Sequence, residues 1–164
     1  MNRLLDALLW PLLPFAAAWV RAQEREVLAQ GLPLNRAEGQ LAHITGVRDM
    51  SRVRVLEVAR IPTPLPRWMQ RAAERAGLLS PDIVGMTFGH GIVLRKECRG
   101  EARLLIHELT HVAQCERLGG IGGIGGFLRP YLRECVYPGY PRGTLEREAR
   151  DAETMMDGCV NVRA

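Results

Sequence analysis

The sequence predicts an α+β fold in which a small β-sheet packs against one long helix, with additional helices around them. Three observations predict this class. Residues 104–114 have apolar side chains at helical spacing, residues 53–58 form a valine-rich β-type run, and residues 83–96 contain two short β-type runs around a Gly-His-Gly turn. With 164 residues, of which 47% are hydrophobic, the chain is long enough to bury a substantial core.

The first 31 residues are predicted to form an apolar or amphipathic helical segment, followed by one domain over residues 32–164. Leu4–Val20 is an apolar run that one acidic residue and two prolines interrupt, and it continues into a helix that Gly31 closes. A membrane span needs about 20 consecutive apolar residues, so this run is too short and too broken. A helix that packs on the domain or lies on a membrane surface is favoured over an export signal. A cytoplasmic or membrane-peripheral location is therefore favoured, with export as the alternative.

Local signals give the bounds of the remaining elements. Asn35 and Glu38 have the spacing of a helix capping box, and Gly89-His90-Gly91 separates two runs that predict a hairpin. The predicted elements are a helix at Asn35–Ile44, a strand at Val53–Val58, a helix at about Pro66–Ala76, strands at Met86–Phe88 and Ile92–Leu94, and helices at Leu104–Gln114, Phe127–Val136 and Thr144–Glu153.

The helix over Leu104–Gln114 carries the pattern His-Glu-x-x-His. His107 and His111 lie one turn apart on the same helix face, so both imidazoles can reach one cation at a Zn–N distance of roughly 2.0–2.1 Å. Glu108 is the next residue around the helix, poorly placed as a ligand but able to deprotonate a water molecule held by the metal. The alternative is two histidines on an ordinary amphipathic helix. We therefore predict a Zn2+ site with His107 and His111 as ligands and Glu108 as the catalytic base.

A catalytic zinc site normally has three protein ligands and one open position, so a third ligand must come from elsewhere in the chain. The segment Thr144–Glu153 reads as a helix with Thr144 as its N-cap and carboxylates in its first turn. Its glutamates, Glu146, Glu148 and Glu153, are the candidates. The alternative is an ordinary charged helix stabilised by Glu/Arg pairs.

Together, His107–Gln114 (HELTHVAQ) and Glu146–Ala149 resemble the glutamate-zincins. In that group a downstream helix carries the third ligand in a pattern of Glu, two residues, then Ala, which Glu146 to Ala149 reproduce. The resemblance implies a zincin-like fold with Glu146 as the third ligand, and Ala149 would let the two helices approach closely. More narrowly, the C-terminal half of the chain looks like small, mostly uncharacterised bacterial domains regarded as peptidases.

The chain departs from the glutamate-zincin pattern in one respect that concerns the metal ligands. Several members have Asp four residues after the ligand Glu, where it orients a histidine, but this chain has Arg150 there and Asp151 one position later. The sequence therefore does not identify the group that sets the tautomer of His107 or His111. A third histidine six residues beyond His111, found in other zinc peptidases, is replaced by Arg117.

In minimal zincins a strand above the metal offers unpaired backbone groups to an extended peptide, a role open here to Met86–Phe88 or Ile92–Leu94. His90 in the turn is a candidate donor to a developing oxyanion, although a lone turn histidine is more often solvated. Tyr137 and Tyr140 are alternative donors, or packing residues between two helices.

Composition argues against nucleic acid as a partner. The net charge is +4, but the arginines are dispersed among 18 acidic residues and aromatic residues make up 5% of the chain, so no basic surface with stacking aromatics is indicated. The four cysteines include no Cys-x-x-Cys pair, which argues against a structural zinc knuckle. A buried thiol is expected at Cys115, with a Cys115–Cys135 disulfide only in an exported chain.

These observations predict a zinc-dependent metallopeptidase, a hydrolase that cleaves a peptide or protein substrate through a metal-activated water molecule. The alternative is a non-catalytic, metal-stabilised interaction or scaffold module that contacts a membrane peripherally through its N-terminal helix. Glu108 favours the enzyme, because a purely structural metal site would not need it.

Overall fold

The computed structural model describes residues 11, 13–64, 83–119, 124–135 and 142–160, with the side chains of the last helix described through Met155. Within this part the chain has an α+β fold with five α-helices and a mixed four-stranded sheet, which confirms the predicted class. The helices are α1 (Leu13–Gln30), α2 (Arg36–Ile44), α3 (Ala102–Gly119), α4 (Ile124–Glu134) and α5 (Thr144–Val160). The strands are β1 (Leu32–Pro33), β2 (Arg54–Val58), β3 (Gly85–Phe88) and β4 (Gly91–Arg95).

The sheet has the strand order β1-β2-β4-β3, with β2 and β4 parallel and the other pairs antiparallel. Strands β3 and β4 form the predicted hairpin, in which Met86 lies opposite Val93 and Thr87 opposite Ile92. Gly89 in its turn has a φ of 63°, in the left-handed region that glycine adopts readily. Among the described residues β3 pairs with β4 alone, so β3 is an edge strand.

The sheet lies between α3 on one face and α1 on the other. Because side chains of a strand alternate between its two faces, neighbouring residues of one strand contact different helices. On β4, Ile92 and Leu94 belong to the core formed with α3, whereas Val93 belongs to the core formed with α1. The α3 side of the first core includes the predicted apolar stripe Leu105, Leu109 and Val112.

Helix α1 packs on the domain, as one of the two alternatives for the N-terminal segment predicted. Its buried residues Val20 and Val27 share a core with Phe88 of β3, and the rings of Trp19 and Phe88 meet edge to face with centroids 5.3 Å apart. None of the described helices combines the length and the apolar character that crossing a membrane requires.

Helix α2 begins as predicted. The side chain of Asn35 accepts hydrogen bonds from the backbone N–H groups of Ala37 and Glu38, and the Glu38 carboxylate accepts one from the Asn35 N–H at 2.8 Å. Both halves of the capping box are therefore present.

Three helix starts differ from the prediction. Helix α3 begins at Ala102, two residues before the predicted start at Leu104, and α4 begins at Ile124, three residues before the predicted start at Phe127. Thr144 is the first residue of α5 rather than its N-cap, and the Glu134 carboxylate from α4 accepts the hydrogen bond of the Leu145 N–H at 2.9 Å. The predicted helix at about 66–76, Tyr137 and Tyr140 lie outside the described residues.

Candidate metal centre

Helices α3 and α5 bring the three predicted ligands together. His107 Nε2 and His111 Nε2 are 3.1 Å apart, and each lies 3.5 Å from a carboxylate oxygen of Glu146. Among the described residues this is the one group of three metal-ligating side chains whose ligand atoms all lie within 4.8 Å of one another. The three side chains come from two helices that pack closely, with Ala149 completely buried on α5.

The distances within this group fit a metal ion. Ligand atoms about 2.0–2.1 Å from a tetrahedral zinc ion would be separated from one another by about 3.3 Å. The separations of 3.1 and 3.5 Å lie on either side of that value. The residues His107, His111 and Glu146 could therefore hold a metal ion.

The outer ring nitrogens of both histidines have hydrogen-bond partners that the sequence did not identify. His107 Nδ1 lies 2.6 Å from Glu153 Oε1, and His111 Nδ1 lies 2.8 Å from Gln114 Oε1. Since an ionised carboxylate only accepts hydrogen bonds, His107 Nδ1 carries the proton in its bond with Glu153. In its neutral form the ring then has its lone pair on Nε2, facing the centre of the group, which is the tautomer that metal binding through Nε2 requires.

The Glu146 carboxylate faces both histidines, and a residue of a third helix also binds it. The Tyr131 hydroxyl on α4 donates a hydrogen bond of 2.7 Å to Glu146 Oε1. Burial raises the pKa of the Glu146 carboxyl, but hydrogen bonds with His107 and His111 outweigh burial and hold the pKa well below its usual range. Glu146 is therefore ionised and offers negative charge to a cation.

The pKa values of the two histidines are shifted in the opposite direction to that of Glu146. Burial lowers the pKa of His107, but the hydrogen bond to Glu146 and the nearby carboxylates outweigh it and raise the pKa to about 9. The pKa of His111 is raised as well, against its burial, mainly by Glu146. The electrostatic environment of the two rings thus favours a positive charge between them.

Glu108, next to His107 in the chain, is not one of the three residues that could hold a metal ion. Its side chain is only 4% exposed, and its Oε2 accepts a hydrogen bond of 2.7 Å from the Thr87 hydroxyl on β3. Burial raises the pKa of the Glu108 carboxyl. A β-carbon added at Gly85, also on β3, would lie 2.5 Å from Glu108 Oε1. The Glu108 side chain therefore packs against the edge strand β3.

The two other glutamates considered as ligands make different contacts. Glu148 pairs with Arg117 at 2.7 Å, and Glu153 binds the outer nitrogen of His107 rather than joining the ligand group. Tyr131 has no counterpart in the sequence prediction, because no motif marks it and only the packing of α4 brings it to Glu146. The positions of Gln114 and Glu153 could have been predicted from the sequence, since each lies on the same helix face as a candidate ligand, Gln114 with His111 and Glu153 with Glu146.

His90 has partners in the structure, so the expectation of a solvated turn histidine is wrong. Its Nε2 lies 3.0 Å from Glu116 Oε1, and its backbone N–H donates to Glu24 Oε1 at 3.0 Å. The side chain is 14% exposed. These contacts connect the hairpin turn to α1 and α3.

The structure describes the side chains of three of the four cysteines, Cys98, Cys115 and Cys135. Cys115 is buried, and Cys98, Cys115 and Cys135 are all free. The disulfide between Cys115 and Cys135, expected only for an exported chain, is not formed in this structure.

Comparison with known proteins gives no relative: no protein-family model, curated protein or solved structure matches this chain. The geometry of the site is therefore the basis for a functional proposal.

Proposed function

We propose that this protein is a zinc-dependent metallopeptidase with a zincin-like fold. The observation that carries the proposal is the convergence of His107, His111 and Glu146, with Glu108 beside them but outside the ligand group. The resemblance of HELTHVAQ and of Glu146–Ala149 to the glutamate-zincins supports the same ligand set.

The three proposed ligands suit a zinc ion that catalyses hydrolysis. Two imidazole nitrogens and one carboxylate are a set of three protein ligands that zinc hydrolases use, with a fourth position left for substrate or water. Once bound, the ion would polarise a scissile carbonyl and lower the pKa of a water molecule to about 7. Glu153 and Tyr131 hold the side chains of His107 and Glu146 in position for this set.

Glu108 is the proposed general base. It takes a proton from the attacking water and later passes it to the leaving amine. Because burial raises the pKa of this carboxyl, it is a stronger base than an exposed glutamate. Thr87 and Gly85 set its position from β3.

An extended peptide is the proposed substrate. Of the two hairpin strands in the described part of the chain, β4 is paired on both sides, so β3 rather than β4 has an edge available for a further strand. Of the two runs that the sequence offered, Met86–Phe88 is thus the one that suits backbone pairing with a peptide. A peptide bound along this edge would run beside the strand that carries Thr87, the partner of Glu108.

The competing proposal is a non-catalytic, metal-stabilised interaction module, and one observation favours it. The side chains at the centre are closed off from solvent: Glu146 and Glu108 are each 4% exposed and His111 is 6% exposed. A catalytic zinc ion needs a coordination position that substrate or water can reach, whereas a structural ion does not, so the burial of these side chains suits a structural role.

Substitution of Glu108 distinguishes the two proposals. Glu108→Gln should keep its zinc and its fold but lose about 10²–10⁴-fold in hydrolysis of an unfolded protein or peptide pool, since it removes a general base and no ligand. The matched control is Glu26→Gln, the same change at an exposed position of α1. Zinc content is measured by mass spectrometry and hydrolysis by release of new amino termini. If zinc-loaded wild type cleaves nothing and the two variants behave alike, the metal-stabilised module is the correct function.

A further inference from the structure

Gln114 is a completely buried polar residue whose hydrogen bonds connect His111 to the protein surface. Its exposed fraction is 0%, and it lies on α3, three residues after His111. Its amide nitrogen donates to the Leu145 carbonyl oxygen at 3.0 Å and to Glu148 Oε2 at 3.0 Å. Its amide oxygen faces His111 Nδ1 at 2.8 Å.

These partners determine which way the Gln114 amide is turned. A backbone carbonyl and an ionised carboxylate only accept hydrogen bonds, so the NH₂ group must face Leu145 and Glu148. The amide oxygen must then face His111, and His111 Nδ1 must be the donor. A neutral ring with its proton on Nδ1 has its lone pair on Nε2, the atom that faces His107 and Glu146.

Glu148 is in turn held by Arg117. The guanidinium group binds both carboxylate oxygens, with Nη1 2.9 Å from Oε1 and Nη2 2.7 Å from Oε2. This is the bidentate geometry in which arginine orients a carboxylate most firmly. The two side chains are 48% and 40% exposed, so the pair lies at the surface and joins α3 to α5.

We propose that Gln114 is a positioning residue through which the Arg117–Glu148 pair holds His111 in its metal-binding tautomer. The inference rests on the proposed metal site, and it adds a surface ion pair that controls the affinity of that site. The essential part of Glu148 is its ability to accept a hydrogen bond from Gln114, rather than its charge.

Three substitutions at the surface pair test this proposal without altering the buried residues. Glu148→Leu removes the acceptor and should lower zinc affinity about tenfold, the low end of the 10–100-fold range for groups that orient a metal ligand. Glu148→Gln keeps an acceptor oxygen but no charge, and its affinity should stay close to that of wild type. Arg117→Leu leaves Glu148 in place without its anchor and should have an intermediate effect. Zinc affinity is measured by competition with a chelator, and thermal unfolding confirms that each variant folds.

The control is Arg99→Leu, which breaks an exposed ion pair of 2.9 Å with Glu57, away from Gln114 and His111. It should change neither affinity nor tautomer. Equal losses of affinity in Glu148→Leu and Glu148→Gln would show that only charge matters and would overturn the proposal.

A second measurement is independent of zinc. Long-range ¹H–¹⁵N correlation spectra of the metal-free protein, recorded at a pH where His111 is neutral, report which ring nitrogen carries the proton. Wild type and Glu148→Gln should have the proton on Nδ1, whereas Glu148→Leu should show a mixture of both tautomers. An unchanged tautomer in Glu148→Leu would overturn the positioning role. A changed tautomer in a protein that binds no zinc, even as wild type, would support the positioning role and refute the metal site instead.

Discussion

Adding one methyl group at Gly85 tests the placement of Glu108. A β-carbon at this position would lie 2.5 Å from Glu108 Oε1 and 3.0 Å from its Cδ. Non-bonded heavy atoms are most stable about 3.5–4.0 Å apart, so the carboxylate would have to move by about 1 Å. The φ angle of Gly85 is not in the left-handed region, so alanine brings no backbone strain of its own.

Gly85→Ala should therefore destabilise the protein by about 1–3 kcal/mol, the usual cost of an extra carbon in a packed site. Because a misplacement of about 1 Å can cost about 10²-fold in rate, hydrolysis should fall by a similar factor. Zinc content should stay the same, because Glu108 is not one of the ligand group. Denaturant unfolding, peptide hydrolysis and metal analysis measure the three quantities.

The matched control is Gly39→Ala in α2, where an added β-carbon meets no atom within 4 Å. This change should stabilise the protein by about 0.5–1 kcal/mol, because alanine is the better helix former. The decisive comparison is Gly85→Ala in a Glu108→Ala background, where the clash partner is gone and the cost should largely disappear. An equal cost in both backgrounds would show that Gly85 does not make room for Glu108, and the reasoning would fail.

Two further predictions follow from the hydrogen bonds. Glu146→Gln should weaken zinc binding more than Glu153→Ala does, because the first change alters a proposed ligand and the second removes only an orienting partner, worth about 10–100-fold in affinity. Competition with a chelator measures both affinities. A larger loss of affinity in Glu153→Ala would contradict the roles assigned to the two glutamates. The pKa of His90 is raised above 6.5, chiefly by its hydrogen bond to Glu24 and also by Glu116, so its stabilising contribution is complete below about pH 6.5 and is lost as the pH rises through the raised value. In denaturant unfolding, His90→Gln should thus be most destabilised relative to wild type near pH 6 and less so near pH 9; a difference independent of pH would contradict the charged contact.

The local part of the site was predictable because it depends on a single helix. The spacing of His107 and His111 places both rings on one face whatever the rest of the chain does, and the apolar stripe beside them predicts which face packs on the sheet. The pattern of the hairpin was equally local, since a short turn determines which residues of β3 and β4 lie opposite each other.

Contacts between helices were harder to predict, because they depend on how two elements are placed against each other. Glu146, Glu148 and Glu153 all lie on α5, and only the packing against α3 assigns them different partners. Tyr131 reaches Glu146 through the position of α4. His90 is held by Glu24, a residue of the N-terminal helix 66 positions away. Nothing in the spacing of these residues gives such distances.

The departure at Arg150 shows how helix geometry can supply the same chemistry from another position. An aspartate four residues after Glu146 would lie one turn along α5, but the carboxylate that binds His107 Nδ1 is Glu153, seven residues and two turns along the same face. Glu148 contacts Arg117 late in α3, whereas Glu153 contacts His107 early in it, so the two helices run in opposite directions where they meet. The extra turn along α5 therefore leads towards His107, and the longer glutamate side chain completes the distance. The arginine at position 150 cannot accept a hydrogen bond from His107, but Glu153, about one turn further along α5, does so instead. Arg150 therefore does not argue against a metal site.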